Sequence, residues 1–267
     1  MPELPEVQTV LDGVVKALKG KTINGLECFY PGTVIREQEL NGEPFPARLK
    51  AHERRGKYMI LHLSTGNSLI IHLRMTGKLV SSKTLAEPSI HERACILLSR
   101  EEKLHFIDIR TFGKINLCKT ENVYNIIPKL GVEPLEPDFT ASYLQTLLKK
   151  RITPIKNILM DQSLIAGLGN IYACEILFRS KIHPECAANN LTLPQLRKIV
   201  SETKKVLTEA IANNGTSISD FRRIDDKSGE FQNFLQVYQK EKCPRGHAVQ
   251  KLKQGGRSTF YCPQCQK

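Results

Sequence analysis

Residues 243–267 carry the feature that most restricts the fold of this chain. Three cysteines and a histidine form the pattern C-x3-H-x14-C-x2-C there, made by Cys243, His247, Cys262 and Cys265. Two ligand pairs separated by an insert of hairpin length are typical of a structural zinc site, and four ligands leave no open position for catalysis. We therefore expect one structural Zn²⁺ ion. The insert, KLKQGGRSTF, predicts a β-hairpin whose Gly-Gly turn places Arg257 at an exposed tip.

Charge gives the first indication of a partner. The 267 residues include 39 Lys and Arg against 27 Asp and Glu, a net charge of +12. This excess favours a polyanion, with nucleic acid the leading class, and the alternative is a basic surface that only meets solvent. No apolar run approaches the roughly 18 residues of a membrane span, and acidic residues stand where a signal peptide would carry lysines. We expect a soluble intracellular protein without a membrane partner.

The hydrophobic pattern changes along the chain. After an opening helix, the first part is rich in short strand-like runs such as KYMILHL, NSLIIHLRM, ACILLS and LHFIDI, which favour a sandwich or barrel-like sheet. GVEPLEPDF indicates a boundary, and the segments beyond it have helical spacing. Together these patterns predict an α+β protein.

A glycine-rich stretch, LIAGLGNIYACEIL, precedes one of the predicted helices. Gly167 and Gly169 loosen the backbone before a helix that begins near Asn170. The N–H groups and dipole of a helix N-terminus form an anion site. Because no strand precedes the glycines and no dinucleotide fingerprint is complete, a phosphate of a nucleic-acid backbone is a better match than a nucleotide cofactor.

Six motifs occur in order along the whole chain: PELPEV, RRGKY, HLRMTG, RTFG, MDQSLIAGLGNIYACEILF and the terminal zinc ribbon. In this order they resemble the bacterial formamidopyrimidine-DNA glycosylases. The resemblance implies an N-terminal β-sandwich with flanking helices (1–133), a linker (134–138), a helix-two-turns-helix DNA-binding domain (139–237) and a zinc finger (238–267). It also implies that GTSISDFRRIDDKSGEF is a lesion-capping loop.

The resemblance implies excision of oxidised purines followed by cleavage of the abasic strand. Loss of Met1 would expose Pro2 as a secondary amine, whose pKa near ~8 leaves more of it unprotonated than a lysine at neutral pH. Glu3 is the expected proton donor to the sugar ring oxygen, and Glu6 orients the terminus. By the same resemblance, Lys57 serves β-elimination and Arg257 serves δ-elimination.

Further positions match residues that hold kinked double-stranded damaged DNA in this family. The matching backbone-contact residues are His72, His91, Arg110, Arg151, Lys156 and Asn170. Met75, Arg110 and Phe112 match the residues that fill the gap left by the extruded base, and Arg110 would face the orphaned cytosine. The resemblance further implies a monomer in the bacterial cytoplasm, associated with the nucleoid.

Two alternatives and two departures from the family pattern accompany this interpretation. The related endonuclease VIII enzymes, which act on oxidised pyrimidines, share the terminus and the zinc finger, and a non-catalytic zinc-ribbon DNA-binding protein would also retain the fold. Gly246 stands where most members have the second zinc cysteine, so we expect His247 to replace it in a Cys3His site. Thr111 stands where a basic residue is common.

Overall fold

The computed structural model describes residues 1–82, 89–218 and 221–267. Its contacts divide the chain into two compact units. The N-terminal unit comprises Met1–Pro128 together with Asn213–Glu230, and the C-terminal unit comprises Lys129–Ala212 together with Phe231–Lys267. Within the described ranges, none of the helices combines the length and the apolar character that crossing a membrane requires.

The N-terminal unit packs helix α1 on a β-sandwich. Helix α1 spans Leu4–Leu18, with Pro5 in its first turn. The strands are β1 (Ile23–Cys28), β2 (Val34–Arg36), β3 (Leu49–Arg55), β4 (Tyr58–Leu63), β5 (Asn67–His72), β6 (Lys78–Ser82), β7 (Glu92–Leu98), β8 (Lys103–Ile107) and β9 (Lys114–Lys119). They form a four-stranded sheet in the order β1-β7-β8-β6 and a five-stranded sheet in the order β2-β9-β5-β4-β3. A short helix, α2 (Val123–Ile126), follows the last strand.

One hydrophobic core joins the helix and both sheets. The apolar stripe of α1 packs in the same buried cluster as residues from both sheets, among them Ile96 and Phe106 of the four-stranded sheet and Leu61 and Leu69 of the five-stranded sheet. Since β5 is the middle strand of its sheet, all six of its residues are buried. The core therefore fixes the ends of β5 and β8. Several predicted site residues lie at these ends or just after them.

The C-terminal unit is helical and ends in a β-hairpin. Its helices are α3 (Ala141–Leu148), α4 (Ile155–Met160), α5 (Asn170–Ser180) and α6 (Leu193–Ala212), and its strands are β10 (Gln250–Gln254) and β11 (Arg257–Tyr261). The two strands pair antiparallel, with Gln254 opposite Arg257. Residues of α5 and of the metal-ligand segments share a small buried cluster that includes Cys174, Phe178 and Val237.

The predicted fold class is confirmed, and one segment is grouped differently from the predicted domain ranges. The structure assigns residues 213–230 to the N-terminal unit, whereas the sequence interpretation placed them in the helical domain. The reason is a set of contacts with that unit. The backbone of Thr216 bonds the side chain of Glu6, Ile224 packs on Gly13, and Asp226 pairs with Lys78. These residues include all but the last residue of the expected capping loop, of which residues 219–220 lie outside the described chain.

Candidate functional site

The first turn of α1 contains the buried carboxylate of Glu6. Glu6 accepts a hydrogen bond from the backbone N–H of Glu3 and a second from the backbone N–H of Thr216, both at 2.8 Å. Glu3 and Glu6 are only 3% and 1% exposed, and Pro2 is buried beside them. Turning this carboxylate away would remove the acceptor of two N–H groups, so it keeps one orientation. Glu6 thereby fixes the backbone next to Pro2.

The segment that meets Glu6 depends on a glycine. Gly215 has a φ of +76°, and a Cβ built on it would lie 3.0 Å from a carboxylate oxygen of Glu6. A side chain at this position would meet both a strained backbone and the carboxylate. Glycine at this position therefore lets the chain approach the N-terminal residues.

Lys57 lies in a tight hairpin turn. Arg55 of β3 pairs with Tyr58 of β4, so Gly56 and Lys57 alone form the turn, and Gly56 takes a φ of +56°. Only 6% of Lys57 is exposed. A two-residue turn between paired strands holds its residues more rigidly than a long loop would. The sheet therefore sets the position of this lysine.

His72, at the end of β5, is held as a neutral imidazole. The backbone N–H of Arg74 donates to its Nδ1 at 2.9 Å, which leaves the proton on Nε2. Burial, and then the positive charges of Arg74 and Lys57, lower the pKa of His72 from 6.5 to about 3. The ring also meets Tyr58 edge-on, with 4.5 Å between the ring centroids. At neutral pH this side chain offers an N–H donor without a charge.

Two large apolar side chains of the predicted DNA surface are exposed. Met75 is 40% exposed and Phe112 is 50% exposed, and the guanidinium carbon of Arg110 lies 4.9 Å from the centroid of the Phe112 ring. Ile109, which the sequence interpretation did not single out, is also exposed. Apolar residues of this size are usually buried, so an exposed group of them next to an arginine indicates a contact surface.

Two other predicted DNA-contact residues lie apart from this group in the chain. His91 is half-buried, and its ring nitrogen Nδ1 lies 3.2 Å from the guanidinium of Arg93. Arg151, in the C-terminal unit, is exposed, and its Nε–H donates to the carbonyl of Leu147 at 3.0 Å.

In the C-terminal unit, two predicted site residues are linked by a hydrogen bond, and one of them also bonds the strand that carries a third. The ammonium of Lys156 donates to Oδ1 of Asn170 at 2.6 Å, and Nδ2 of Asn170 donates to the carbonyl of Ser258 at 2.8 Å. Ser258 follows Arg257, which is exposed at the hairpin turn. Lys156 itself is fully buried. Asn170 therefore joins α4 to the strand that carries Arg257.

Helix α5 begins at Asn170 as the glycine pattern predicted, with Gly169 as the N-cap residue. The loop before it is organised by Gln162, whose amide donates to the carbonyls of Met160 and Leu168 and whose oxygen accepts from the N–H of Gly167. Gln162 appeared in the sequence only as part of a motif. Its three bonds explain why the turn before the helix takes one shape.

The four predicted metal ligands are close together. The ligand atoms of Cys243, His247, Cys262 and Cys265 lie within 4.8 Å of one another, and Nδ1 is the histidine atom involved. The sulfurs of Cys243 and Cys265 are 3.9 Å apart, and Nδ1 of His247 is 3.3 Å from the sulfur of Cys265. In tetrahedral zinc sites with bonds of about 2.0–2.3 Å, ligand atoms are separated by about 3.3–3.8 Å. The residues fit a structural zinc ion.

A buried carboxylate supports the segment that leads to the metal-binding hairpin. Glu175 of α5 accepts the backbone N–H groups of Gln236, Val237 and Tyr238, at 2.8, 3.0 and 2.8 Å. Burial raises the pKa of Glu175, and the three N–H donors oppose that rise. A glutamate within a helical pattern normally faces solvent, so nothing in the sequence indicated this role.

The described residues contain a second group with metal-ligand chemistry, Glu92, Cys95 and His105, on strands β7 and β8. The ring of His105 is hydrogen-bonded to Glu92 at 2.6 Å and to the hydroxyl of Ser82 at 2.8 Å. Burial, and then the charge of Glu92, raise the pKa of the Cys95 thiol to about 12. The group is a hydrogen-bonded network with a protonated thiol, and we assign it no metal.

Comparison with known protein families places three family models along the chain. Residues 1–115 match the formamidopyrimidine-DNA glycosylase N-terminal domain, residues 130–222 match the formamidopyrimidine-DNA glycosylase H2TH domain, and residues 240–267 match the zinc finger found in FPG and IleRS. A formamidopyrimidine-DNA glycosylase of Pelotomaculum thermopropionicum is 43% identical over 277 residues, which cover all of this chain and 99% of the relative.

Solved structures agree over the whole length. MutM in complex with DNA that contains carbocyclic 8-oxo-G is 38% identical, with a TM-score of 0.90 and complete coverage of both chains. A Lactococcus lactis FPG mutant with a Gly-His pair in place of a cysteine, bound to THF-containing DNA, is 37% identical, with a TM-score of 0.91 and complete coverage of both. The pair has the same two residue types, in the same order, as Gly246 and His247 here.

Proposed function

This chain belongs to the formamidopyrimidine-DNA glycosylase family and is a base-excision repair glycosylase for oxidised purines, and we propose that the nitrogen of Pro2 is its nucleophile. The observation that carries the proposal is the buried Glu6 carboxylate, which accepts the N–H of Glu3 and holds the backbone next to Pro2. A nucleophile that forms a covalent bond to a sugar gains rate from being held in one orientation.

In the proposed reaction, the secondary amine of Pro2 attacks C1′ of the damaged nucleotide after Met1 has been removed. The bond from C1′ to the oxidised base breaks, and the base leaves with the bonding electrons and takes up the N–H proton that Pro2 gives up. Glu3 protonates the sugar ring oxygen as the ring opens. The product is an iminium, which has no N–H proton to lose and acts as an electron sink. It acidifies the 2′ hydrogen, so the 3′ phosphate and then the 5′ phosphate leave by elimination.

Lys57 and Arg257 are assigned to the elimination steps. The two-residue turn that holds Lys57 supports a role as proton donor and phosphate ligand during β-elimination. For Arg257, the support is its exposure beside Ser258, whose carbonyl is bonded by Asn170. A planar guanidinium binds a phosphate through two parallel hydrogen bonds, which suits the assistance of δ-elimination.

The proposed DNA contacts follow from the same geometry. His72 donates its Nε2–H to a phosphate as a neutral group, and His91, Arg110 and Arg151 bind phosphates from exposed or half-buried positions. Lys156 is fully buried, so we assign its contribution to the orientation of Asn170 and to the positive potential at the start of α5.

Met75, Arg110 and Phe112 are proposed to fill the gap left by the extruded base, with the guanidinium of Arg110 toward the orphaned cytosine. Their exposure supports this role, because side chains that enter a base stack must project from the protein surface. An endonuclease VIII-like preference for oxidised pyrimidines is not favoured, since the relatives are formamidopyrimidine-DNA glycosylases.

One zinc ion is proposed for the Cys3His group. It would hold the two ends of the hairpin segment together and so fix the position of the turn that carries Arg257. The finer domain ranges, 1–133, 134–138, 139–237 and 238–267, remain part of the proposal, as does action as a monomer. The named relatives are bacterial proteins and DNA is the substrate, which supports activity beside the nucleoid.

Borohydride trapping tests the nucleophile. Wild-type protein is incubated with 8-oxoguanine duplex and with abasic duplex, and a reduced covalent complex is expected with both. The Pro2→Gly variant should lose most of the complex while it retains DNA affinity. A wild-type protein that binds both duplexes and forms no complex would instead be a non-catalytic DNA-binding protein. Parallel assays with thymine-glycol duplex separate the purine from the pyrimidine preference.

A further inference from the structure

Asp108 is a buried aspartate for which neither the sequence interpretation nor the proposed chemistry has a role. It follows β8 directly and is fully buried. One carboxylate oxygen, Oδ1, accepts from the hydroxyl of Thr76 at 2.5 Å and from the backbone N–H of Arg110 at 3.2 Å. The other, Oδ2, accepts from the backbone N–H of Gly113 at 2.7 Å. A single side chain thus bonds two separate loops.

The first loop is the turn after β5, which carries Met75 at its tip. It is closed by a hydrogen bond from the N–H of Gly77 to the carbonyl of Leu73 at 3.0 Å. A Cβ on Gly77 would lie 2.4 Å from that carbonyl oxygen, so the turn is too tight for a side chain there. Thr76, the residue after Met75, reaches from this turn to Asp108.

The second loop joins β8 to β9 and carries Arg110 and Phe112. Besides its bond to Asp108, the N–H of Arg110 donates to the hydroxyl oxygen of Thr76 at 3.2 Å. A Cβ on Gly113 would lie 2.4 Å from the ring of Phe106, which keeps the end of this loop against the core. The Thr76 hydroxyl therefore donates to one member of this loop and accepts from another.

The backbone of Asp108 extends the connection to a third segment. Its N–H donates to the carbonyl of His91 at 2.9 Å, and its carbonyl accepts from Nε of Arg93 at 2.7 Å. Asp108 is consequently fixed from both its main chain and its side chain. Charge-assisted hydrogen bonds of this kind are the stronger and more directional ones.

We propose that Asp108 and Thr76 form a latch that holds Met75, Arg110 and Phe112 in one arrangement, and that this latch is what makes base extrusion and recognition of the opposite cytosine efficient. The proposal rests on the proposed function and assigns positioning roles, because neither latch residue needs to touch the DNA. Side chains inserted into a base stack act as a unit only if their loops are ordered before the DNA arrives.

A pair of substitutions at Thr76 tests the latch. Thr76→Val keeps the shape and removes the hydroxyl, so Asp108 loses a donor and the N–H of Arg110 loses an acceptor. Thr76→Ser keeps the hydroxyl and is the matched control. Single-turnover excision of 8-oxoguanine opposite cytosine is expected to fall about tenfold in the valine variant, which corresponds to about 1.4 kcal/mol. The serine variant should stay within about twofold of wild type.

Two further readouts separate positioning from a loss of fold. Cleavage of a preformed abasic site has no base to extrude, so it should fall clearly less than excision does in Thr76→Val. The preference for cytosine over adenine opposite the lesion should shrink. A 2-aminopurine placed beside the orphaned cytosine should report slower disruption of the stack. Excision and abasic cleavage that decline in parallel, or a valine variant indistinguishable from the serine variant, would overturn the latch.

Asp108→Asn provides an independent variant, because the amide keeps one acceptor oxygen, so either the N–H of Gly113 or the N–H of Arg110 must lose its bond to this side chain. The expected result is the same selective loss of excision and of opposite-base preference, and a loss of abasic cleavage of equal size would count against the proposal. Failure of wild-type protein to excise 8-oxoguanine would reject the proposed function itself, which is a different outcome from an unselective Thr76→Val variant.

Discussion

Acid is expected to destabilise this protein through His72. Its imidazole has a folded-state pKa of about 3 against an ordinary value of 6.5, because burial and the charges of Arg74 and Lys57 disfavour the protonated form. The unfolded chain therefore binds more protons between these two values, and stability falls as the pH falls through that window. Above about pH 7.5 the ring is neutral in both states, and His72 adds no pH dependence there.

The size of the effect follows from the two pKa values. Between pH 8 and pH 5, the linkage relation gives a loss of about 2 kcal/mol from His72 alone. The result changes little if the folded-state pKa is one unit higher, since at pH 5 the folded-state ring stays largely neutral in either case. This is a large part of the total stability of an ordinary domain.

The variant His72→Asn isolates this contribution. Its side-chain oxygen can accept the N–H of Arg74 in place of Nδ1, and the amide does not titrate. Urea unfolding of both proteins at pH 8 and pH 5 gives four free energies, and the difference of the differences cancels other acid-sensitive groups, the metal ligands included. Wild type should lose about 2 kcal/mol more than the variant. Equal losses in the two proteins would refute a neutral buried imidazole at this position.

Three further predictions concern the other parts of the site. Glu6→Ala removes the acceptor of two backbone N–H groups and should lower the free energy of unfolding by about 2–4 kcal/mol in urea titrations, whereas Glu6→Gln should lose roughly half of that. Asn170→Ala should weaken DNA binding and reduce δ-elimination product on gels. Asn170→Asp keeps the bond to Lys156 but cannot donate to the carbonyl of Ser258. Unchanged δ-elimination in that variant would argue against the idea that the bond to Ser258 positions Arg257. His247→Ala should lower the zinc-to-protein ratio measured by mass spectrometry, whereas His247→Cys should preserve it, and unchanged zinc in the alanine variant would remove the histidine from the ligand set.

Patterns within short stretches of the sequence predicted the helices and hairpins whose formation depends on neighbouring residues. The opening helix, the hairpin between the ligand pairs and the start of α5 at Asn170 all depend on patterns within a short stretch, and the structure confirms them. The Cys3His grouping was predicted in the same way, because hairpin length brings the two pairs together.

The contacts that position the site were not predictable in this way. Glu6 and Thr216 are 210 residues apart in the chain, and Thr76 and Asp108 are 32 apart, so no periodicity links them. The preference for acidic residues near helix N-termini is enough to account for Glu6 in the first turn of α1, without reference to a distant partner. Composition alone would place Met75 and Phe112 in the core, and only the family resemblance directed them to the surface.

The covalent link between protein and DNA tests the central claim most directly. Wild-type protein trapped on abasic duplex with borohydride can be digested and mapped by tandem mass spectrometry. We expect a chain that has lost Met1, with the reduced deoxyribose remnant on the nitrogen of Pro2. A remnant attached to a lysine, or a fully active preparation that keeps Met1, would contradict the claim.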